Sequence, residues 1–447
     1  MFMQRATWMG TLAVAAAAAV GIAGAIAPLG SGGGRPETPP GLDRPLELGV
    51  EVLVEHDLDL LAGQRVGLIT NPTGTTSDLT HTIDALIDGE ADGGYEVTAL
   101  YGPEHGVRGG VPAGAYVESY VDERTGLPVY SLYGPTRKPT AEMLEEVDVL
   151  VFDIQDIGAR FYTYIWTMYY AMEAAAEQGK PFVVLDRPNP LGDRMDGPVL
   201  EYPELSSFVG LREIPLQHGL TVGELARLFN AEFLETPADL HVVTMRNYDA
   251  AGIVADWDLP WVLPSPNIPT RETALVYPGT GLIESINVSE GRGTTTPFLW
   301  FGAPYINETE SYALAAELNS RGLPGVTFRP MSATPTSSKH AGLFSGGVQI
   351  HITDEAAYHP LRTGLHVLDV LFDQIDEVDW REGAACRTLD DRCWIDQLTG
   401  TRDVRTQLEA GVAPDEIIAG WQDDLAAFDA LAEPYRLYPD SPGRSPS

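Results

Sequence analysis

The chain of 447 residues carries 64 Asp and Glu against 28 Lys and Arg, a formal net charge of −36, and is 44% hydrophobic. It is long enough for roughly two to three domains, or one large α/β domain with an appendix, and apolar enough to bury a core without disulfide or metal staples. The charge excludes nucleic-acid binding and attraction to an anionic membrane surface, which both require clustered Lys and Arg; a solvated acidic surface accounts for it.

Arg5 precedes an apolar run from Trp8 to Pro28 that is rich in Ala and Gly. Residues 1–28 read as an export signal, with Ala25 and Ala27 in an A-x-A cleavage pattern. Equally, about 20 apolar residues span a bilayer, so residues 6–28 also fit an uncleaved membrane anchor. Both readings place the remainder outside the cytoplasm: periplasmic, extracellular or tethered to the outer face of the membrane. Residues 29–44 are a Gly/Pro linker.

Residues 49–63 have helical apolar spacing and stop at Gly63. RVGLIT (65–70), EVTALYG (96–102), DVLVFDI (148–154), PFVVLD (181–186) and LHVVTM (240–245) read as strands. Helices are predicted between them, over 161–179 and over 221–234, the second opened by a Thr221–Glu224 capping box. Apolar strands alternating with helices imply an α/β fold, a parallel sheet with helices on both faces. From Trp261 the composition turns rich in Pro, Gly, Ser and Thr. A smaller α/β unit follows, with helices at 312–322, 361–375 and 414–431 and a strand at 346–354. The boundary falls near residue 300, giving domains 45–300 and 301–438 and an unstructured tail 439–447. Outside the cytoplasm, Cys386 and Cys393 are candidates for a disulfide around a short loop.

Ligands of a parallel α/β sheet bind beyond the carboxyl ends of its strands. There the sequence places Asn71, then Glu104 with His105, then Asp153, Asp156 and Arg160, then Asp186, Arg187 and Asn189. Several carboxylates and two arginines on one rim suit a hydrolytic or transfer site. Glu104, in the Gly-bounded turn GPEHG, is held as a general acid or base must be. If the strand before Asp153 and Asp156 adjoins the one before Glu104, like charges would crowd Glu104 and favour its proton-donating form. Tyr162 is a candidate to stack on a sugar ring. NVSEGRGTT (287–295) supplies a second carboxylate, Glu290, and a clamp, Arg292. Neither a zinc-site His spacing nor a nucleotide-binding glycine pattern occurs, so no metal and no cofactor are expected.

The strings GLITNPTG (67–74), LYGPEHGVRG (100–109), GLPVYSLYGPTRKPT (126–140), DVLVFDIQDIGARFYTYIWTM (148–168), VVLDRPNPLG (183–192), PSPNIPT (264–270), VYPGTGLIESINVSEGRGTT (276–295) and GGVQIHITD (346–354) occur along the chain. Together they resemble the DUF1343 family, the exo-β-N-acetylmuramidases of the NamZ type. The resemblance implies a Rossmann-like catalytic domain with a C-terminal auxiliary domain. It implies release of N-acetylmuramic acid from the non-reducing end of peptidoglycan fragments free of stem peptides. It points to Glu104 as catalytic residue, with Glu290 as candidate partner, and adds Asn267 of PSPNIPT to the substrate contacts. Muramic acid bears a lactyl carboxylate, so a cation is expected in its pocket, with Arg160, Arg187 and Arg292 as candidates. The alternatives are an exported, non-catalytic wall-sugar-binding protein and a hexosaminidase of shifted specificity.

Overall fold

The computed structural model describes residues 45–438, apart from 112, 113, 116, 117, 387 and 389–391. The export segment (1–28), linker (29–44) and tail (439–447) read from the sequence lie outside the described residues. Among the described residues no helix is long and apolar enough to cross a membrane.

The apolar runs become β1 (Arg65–Thr70), β2 (Glu96–Gly102), β3 (Tyr120–Val121), β4 (Pro128–Ser131), β5 (Val149–Asp153) and β6 (Phe182–Leu185). β7 (Met195–Val199) and β8 (Pro215–His218) form an antiparallel ribbon, and β9 (Leu240–Val243) returns to the main sheet. The order is β3-β4-β2-β1-β5-β6-β9, parallel throughout except where β3 meets β4. Side chains alternate across a strand. In β5, Val149 and Val151 therefore enter one core layer with Val66 and Leu68, while Leu150 and Phe152 enter the other with Trp166 and Phe182. Each such fully buried side chain contributes about 1.5–3 kcal/mol. Both faces are covered, as the unbroken apolar runs require.

Chain order reverses between β1 and β5, so β1 separates β2 from β5. The expected crowding of Glu104 by Asp153 and Asp156 is therefore not built. Asp153 is instead clamped by Arg187 at 2.5 Å, and Asp156 faces His218 at 3.0 Å.

β10 (Trp300–Ala303), β11 (Val326–Pro330) and β12 (Gly346–Ile352) make a second, antiparallel sheet in the order β10-β12-β11. The helix Arg271–Thr280 lies before residue 300 yet packs on the helix Pro360–Gln374. A Cβ on Gly279 would meet the Pro360 carbonyl oxygen, so glycine permits that crossing. Two predicted helices are less regular than their periodicity suggested. Residues 49–63 are α-helical only over Gly49–Val52, then widen over Leu53–Asp57 and tighten over Leu58–Leu61. The last helix breaks into Pro414–Ala419 and Gln422–Ala432, where Trp421 turns inward and donates Nε1 to Asp196 at 3.0 Å. The Thr221–Glu224 capping box forms as read. Cys386 and Cys393 are disulfide-bonded, with Cα atoms 5.5 Å apart.

Candidate active site

β2 ends in a tight turn closed by the Gly106 amide donating to the Pro103 carbonyl at 2.9 Å. His105 takes the left-handed position of this turn, with φ 71°, and its Nδ1 donates to the Val111 carbonyl at 2.7 Å. That bond ties down the loop that follows, so His105 positions Glu104 and is itself buried. The Glu104 carboxylate accepts from the Gly114 amide at 2.8 Å and from the Thr163 hydroxyl at 3.3 Å. Thr163 is the N-cap of the helix Tyr164–Glu177 and makes no side-chain cap bond. Tyr133 faces the same carboxylate; burial first, then Glu104, pushes its phenol up to about 12, so it stays a neutral hydroxyl.

Glu104 lines a cleft of about 1220 Å³ whose walls also carry Asn267, Glu284, Glu290, Arg292, Lys339 and Arg381. Phe161 and Tyr277 also line it. Tyr277 meets Phe161 edge-on at 5.2 Å and is packed by the buried Phe298 at 4.7 Å and Tyr162 at 5.7 Å. Burial, then Glu284 and the other nearby carboxylates, raises the Tyr277 phenol well above its ordinary value, against the opposing pull of Arg292. Such a surface suits the apolar face of a sugar ring, with hydroxyl donors at its edge.

Glu290 is only 2% exposed. Its carboxylate meets Arg292 Nε at 3.1 Å and Lys339 Nζ at 3.1 Å. Arg292 also pairs with Glu284 at 2.5 Å and lies over the Phe298 ring at 4.9 Å. Burial opposes the Arg292 charge, but Glu284, Tyr277 and Glu290 outweigh it and hold its pKa above the ordinary value. Two anions and two cations thus neutralise one another in a half-dry cluster, the arrangement that buried charge requires. Lys339 comes from the loop between β11 and β12. Gly293, at φ 78°, lets that loop in, since a Cβ there would strike the Ser337 backbone at 2.5 Å. The Thr336 amide then donates to the Gly293 carbonyl at 2.8 Å.

Of the residues expected from the sequence, Glu104, Glu290, Asn267 and Arg292 meet in this cleft. The other strand-end residues do not line it, and their side chains are engaged inside the protein. Arg160, fully buried, donates to the carbonyls of Pro198, Ile214 and Leu398 at 2.8–3.1 Å. Arg187 clamps Asp153 and donates to the Thr75 carbonyl at 2.7 Å, beside a separate small cavity. Asn71 accepts from Thr73, and Asn189 bridges Leu191 and Leu220. Asp156 accepts from the Gly158 amide at 2.7 Å as well as facing His218. Tyr162 is wedged edge-on against Tyr164 at 4.9 Å, with no open ring face for a sugar. For Arg160 the cover comes from the β7–β8 region and from Leu398 of the C-terminal part, whose buried carbonyls need a donor.

Tyr133, Arg137, Thr163, Tyr277 and Glu284 lie within the family-like strings but have no catalytic pattern of their own, whereas Arg381 carries no local signal. Lys339 lies in an aperiodic Ser-rich loop, where only the tertiary packing reveals it. Among the described residues, one trio of His and carboxylates lies close enough to share a cation, Glu47, Glu55 and His56. It does not line the cleft.

The protein is of the α/β class: a mostly parallel, doubly wound sheet with a carboxylate-bearing cleft beyond its strand ends. The family model for the N-terminal part of exo-β-N-acetylmuramidase NamZ matches residues 66–272, and that for its C-terminal part matches residues 275–438. The peptidoglycan β-N-acetylmuramidase NamZ of Bacillus subtilis (strain 168) is 50% identical over 394 residues, 88% of this chain and 91% of that protein. Two crystal structures of DUF1343 family proteins from Bacteroides fragilis NCTC 9343 superpose with TM-scores of 0.77 and 0.71, at 40% and 31% identity. Each match covers 88% of this chain and 99% of the other. The chain belongs to the NamZ exo-β-N-acetylmuramidase family, in agreement with the sequence motifs.

Proposed function

We propose that this chain is an exo-acting glycosidase that releases N-acetylmuramic acid from the non-reducing end of peptidoglycan-derived saccharides, with Glu104 protonating the leaving oxygen. One observation carries the assignment. Among the described cleft carboxylates, Glu284 and Glu290 are bound to cations, whereas Glu104 meets only an amide and hydroxyls. Glu104 is also half-buried, open enough to reach a substrate. As the bond between the anomeric carbon and the bridging oxygen breaks, the Glu104 proton passes to that oxygen; water adds its hydroxyl to the anomeric carbon, and its remaining proton replaces the one the acid gave up. Glu290 holds Arg292 and Lys339 in place, and Asn267 with Arg292 contacts the sugar. Residues 1–28 export the protein or anchor it by residues 6–28, which suits a wall-derived substrate. N-terminal sequencing of the secreted form distinguishes cleavage from anchoring.

Incubation with an N-acetylmuramic acid–N-acetylglucosamine disaccharide and with aryl glycosides of each sugar tests the activity. Free muramic acid and chromophore from the muramide alone are expected. Release from the glucosaminide instead indicates a hexosaminidase, and a melting-temperature shift without product indicates a binding protein.

A further inference from the structure

Two cleft arginines stand apart from the neutralised cluster. Among the described residues, neither Arg137 nor Arg381 has a carboxylate partner, although the chain carries 64 acidic residues. Each guanidinium instead lies on an aromatic ring: Arg137 over Phe208 at 4.1 Å and Arg381 over Trp394 at 5.2 Å. Phe208 is in turn stacked on Tyr170. Stacking fixes the plane of a guanidinium without neutralising it, and leaves the in-plane N–H groups of the fork free. A charge kept unpaired beside a large cleft is suited to an anion that arrives with the substrate.

Their surroundings separate the two. Tyr133 feels both Glu104 and Arg137. Arg381 acts on Lys339, at the Glu290 end of the cleft. In a muramyl residue the lactyl ether sits on C3, two ring atoms from the C1 whose bond is cleaved. The lactyl group is thus carried close to the bond being broken. Arg137 is the unpaired arginine linked to the Glu104 end of the cleft, since its supporting ring, Phe208, packs on Tyr133 at 6.1 Å and Tyr133 faces Glu104.

Resting on the reading of Glu104 as that acid, we propose that Arg137 is the specificity residue that grips the free lactyl carboxylate of the sugar being released. The fork takes both carboxylate oxygens. A stem peptide converts this carboxylate to an amide, which lacks the charge and one acceptor oxygen. The same contact thus makes the enzyme select peptide-free ends.

The experiment compares an aryl N-acetylmuramide with its lactyl carboxamide on wild-type protein, Arg137→Gln, Arg137→Lys and Arg381→Gln. Arg137→Gln is expected to lower kcat/KM for the free acid roughly 10- to 100-fold, the value of a charge-assisted bond, and to change the carboxamide little. The wild-type preference for the acid then collapses. Arg137→Lys recovers part of it, having the charge without the fork. Arg381→Gln retains the preference. An unchanged preference in folded Arg137→Gln, or its collapse in Arg381→Gln instead, overturns the assignment. If wild-type protein cleaves neither substrate, the glycosidase reading fails on its own. The clamp is then read from calorimetric binding of free N-acetylmuramic acid against N-acetylglucosamine, where Arg137→Gln must lose the preference for the acid.

Discussion

Lys339 Nζ stands 3.1 Å from the Glu290 carboxylate and also donates to the carbonyls of Ile283, Ile286 and Val288 at 2.7–3.0 Å. One ammonium from the second sheet's loop thereby organises the cleft's polar wall. Burial pulls its pKa down, with Glu290 pulling the other way. Lys339→Met should cost about 3–5 kcal/mol, because it leaves Glu290 short of a cation and four carbonyls, that of Glu284 included, without that donor. Glu290→Gln should cost a similar amount, and the double variant much less than the sum. Urea unfolding of the four proteins gives the cycle, and strict additivity would show that the pair does not act as a unit.

Glu104→Gln retains the side chain's size and its bond from the Gly114 amide, so melting should scarcely change. Turnover of a natural disaccharide should fall about 10²–10⁴-fold, the usual contribution of a positioned acid. An aryl muramide with a good leaving group needs less protonation and should lose less. Near wild-type turnover of the disaccharide would pass the role to another group.

Asp186 is fully buried beneath the C-terminal segment and accepts from the amides of Arg187 and Gly223 on Oδ1 and from the Thr221 and Tyr438 hydroxyls on Oδ2. Burial, against those donors, pushes its pKa up from 3.8 to about 7. The folded state then holds a proton that the unfolded state has lost between these two values. Stability from this group is complete below pH 4, falls as pH rises to about 7, and levels off beyond, a total of about 4 kcal/mol. Asp186→Asn can keep Oδ1 on the two amides and donate Nδ2 to the hydroxyls. Its melting temperature relative to wild type should therefore rise between pH 4 and 7. A difference that is flat with pH would contradict this.

Arg160→Met should destabilise the fold by about 3–5 kcal/mol, since three buried carbonyls lose a charged donor. Per folded molecule, discrimination between a muramide acid and its carboxamide should stay at the wild-type level. Calorimetry and active-fraction kinetics read the two effects separately; selective loss of the acid would place this guanidinium at the substrate.

The parallel sheet was legible because unbroken apolar runs such as VLVF in β5 can be satisfied only by cover on both faces, whatever the neighbouring strands. Glu104 was legible for a related reason. A turn enclosed by Pro103 and Gly106 follows directly from β2, so short-range constraints alone place its carboxylate beyond the strand end.

What lies next to what required the tertiary structure. Strand order placed β1 between Glu104's strand and the Asp153 strand, and no local pattern encodes that order. Arg160 and Arg292 are the same residue type in similarly polar strings. One is buried against three carbonyls and the other faces the cleft, because cover by later elements decides which polar groups still meet water. Lys339 reaches Glu290 only where Gly293 admits a distant loop. Local sequence determines the backbone's hydrogen-bonding pattern and its apolar faces. The partner of a charged side chain is settled by burial, and burial is a property of the whole folded chain.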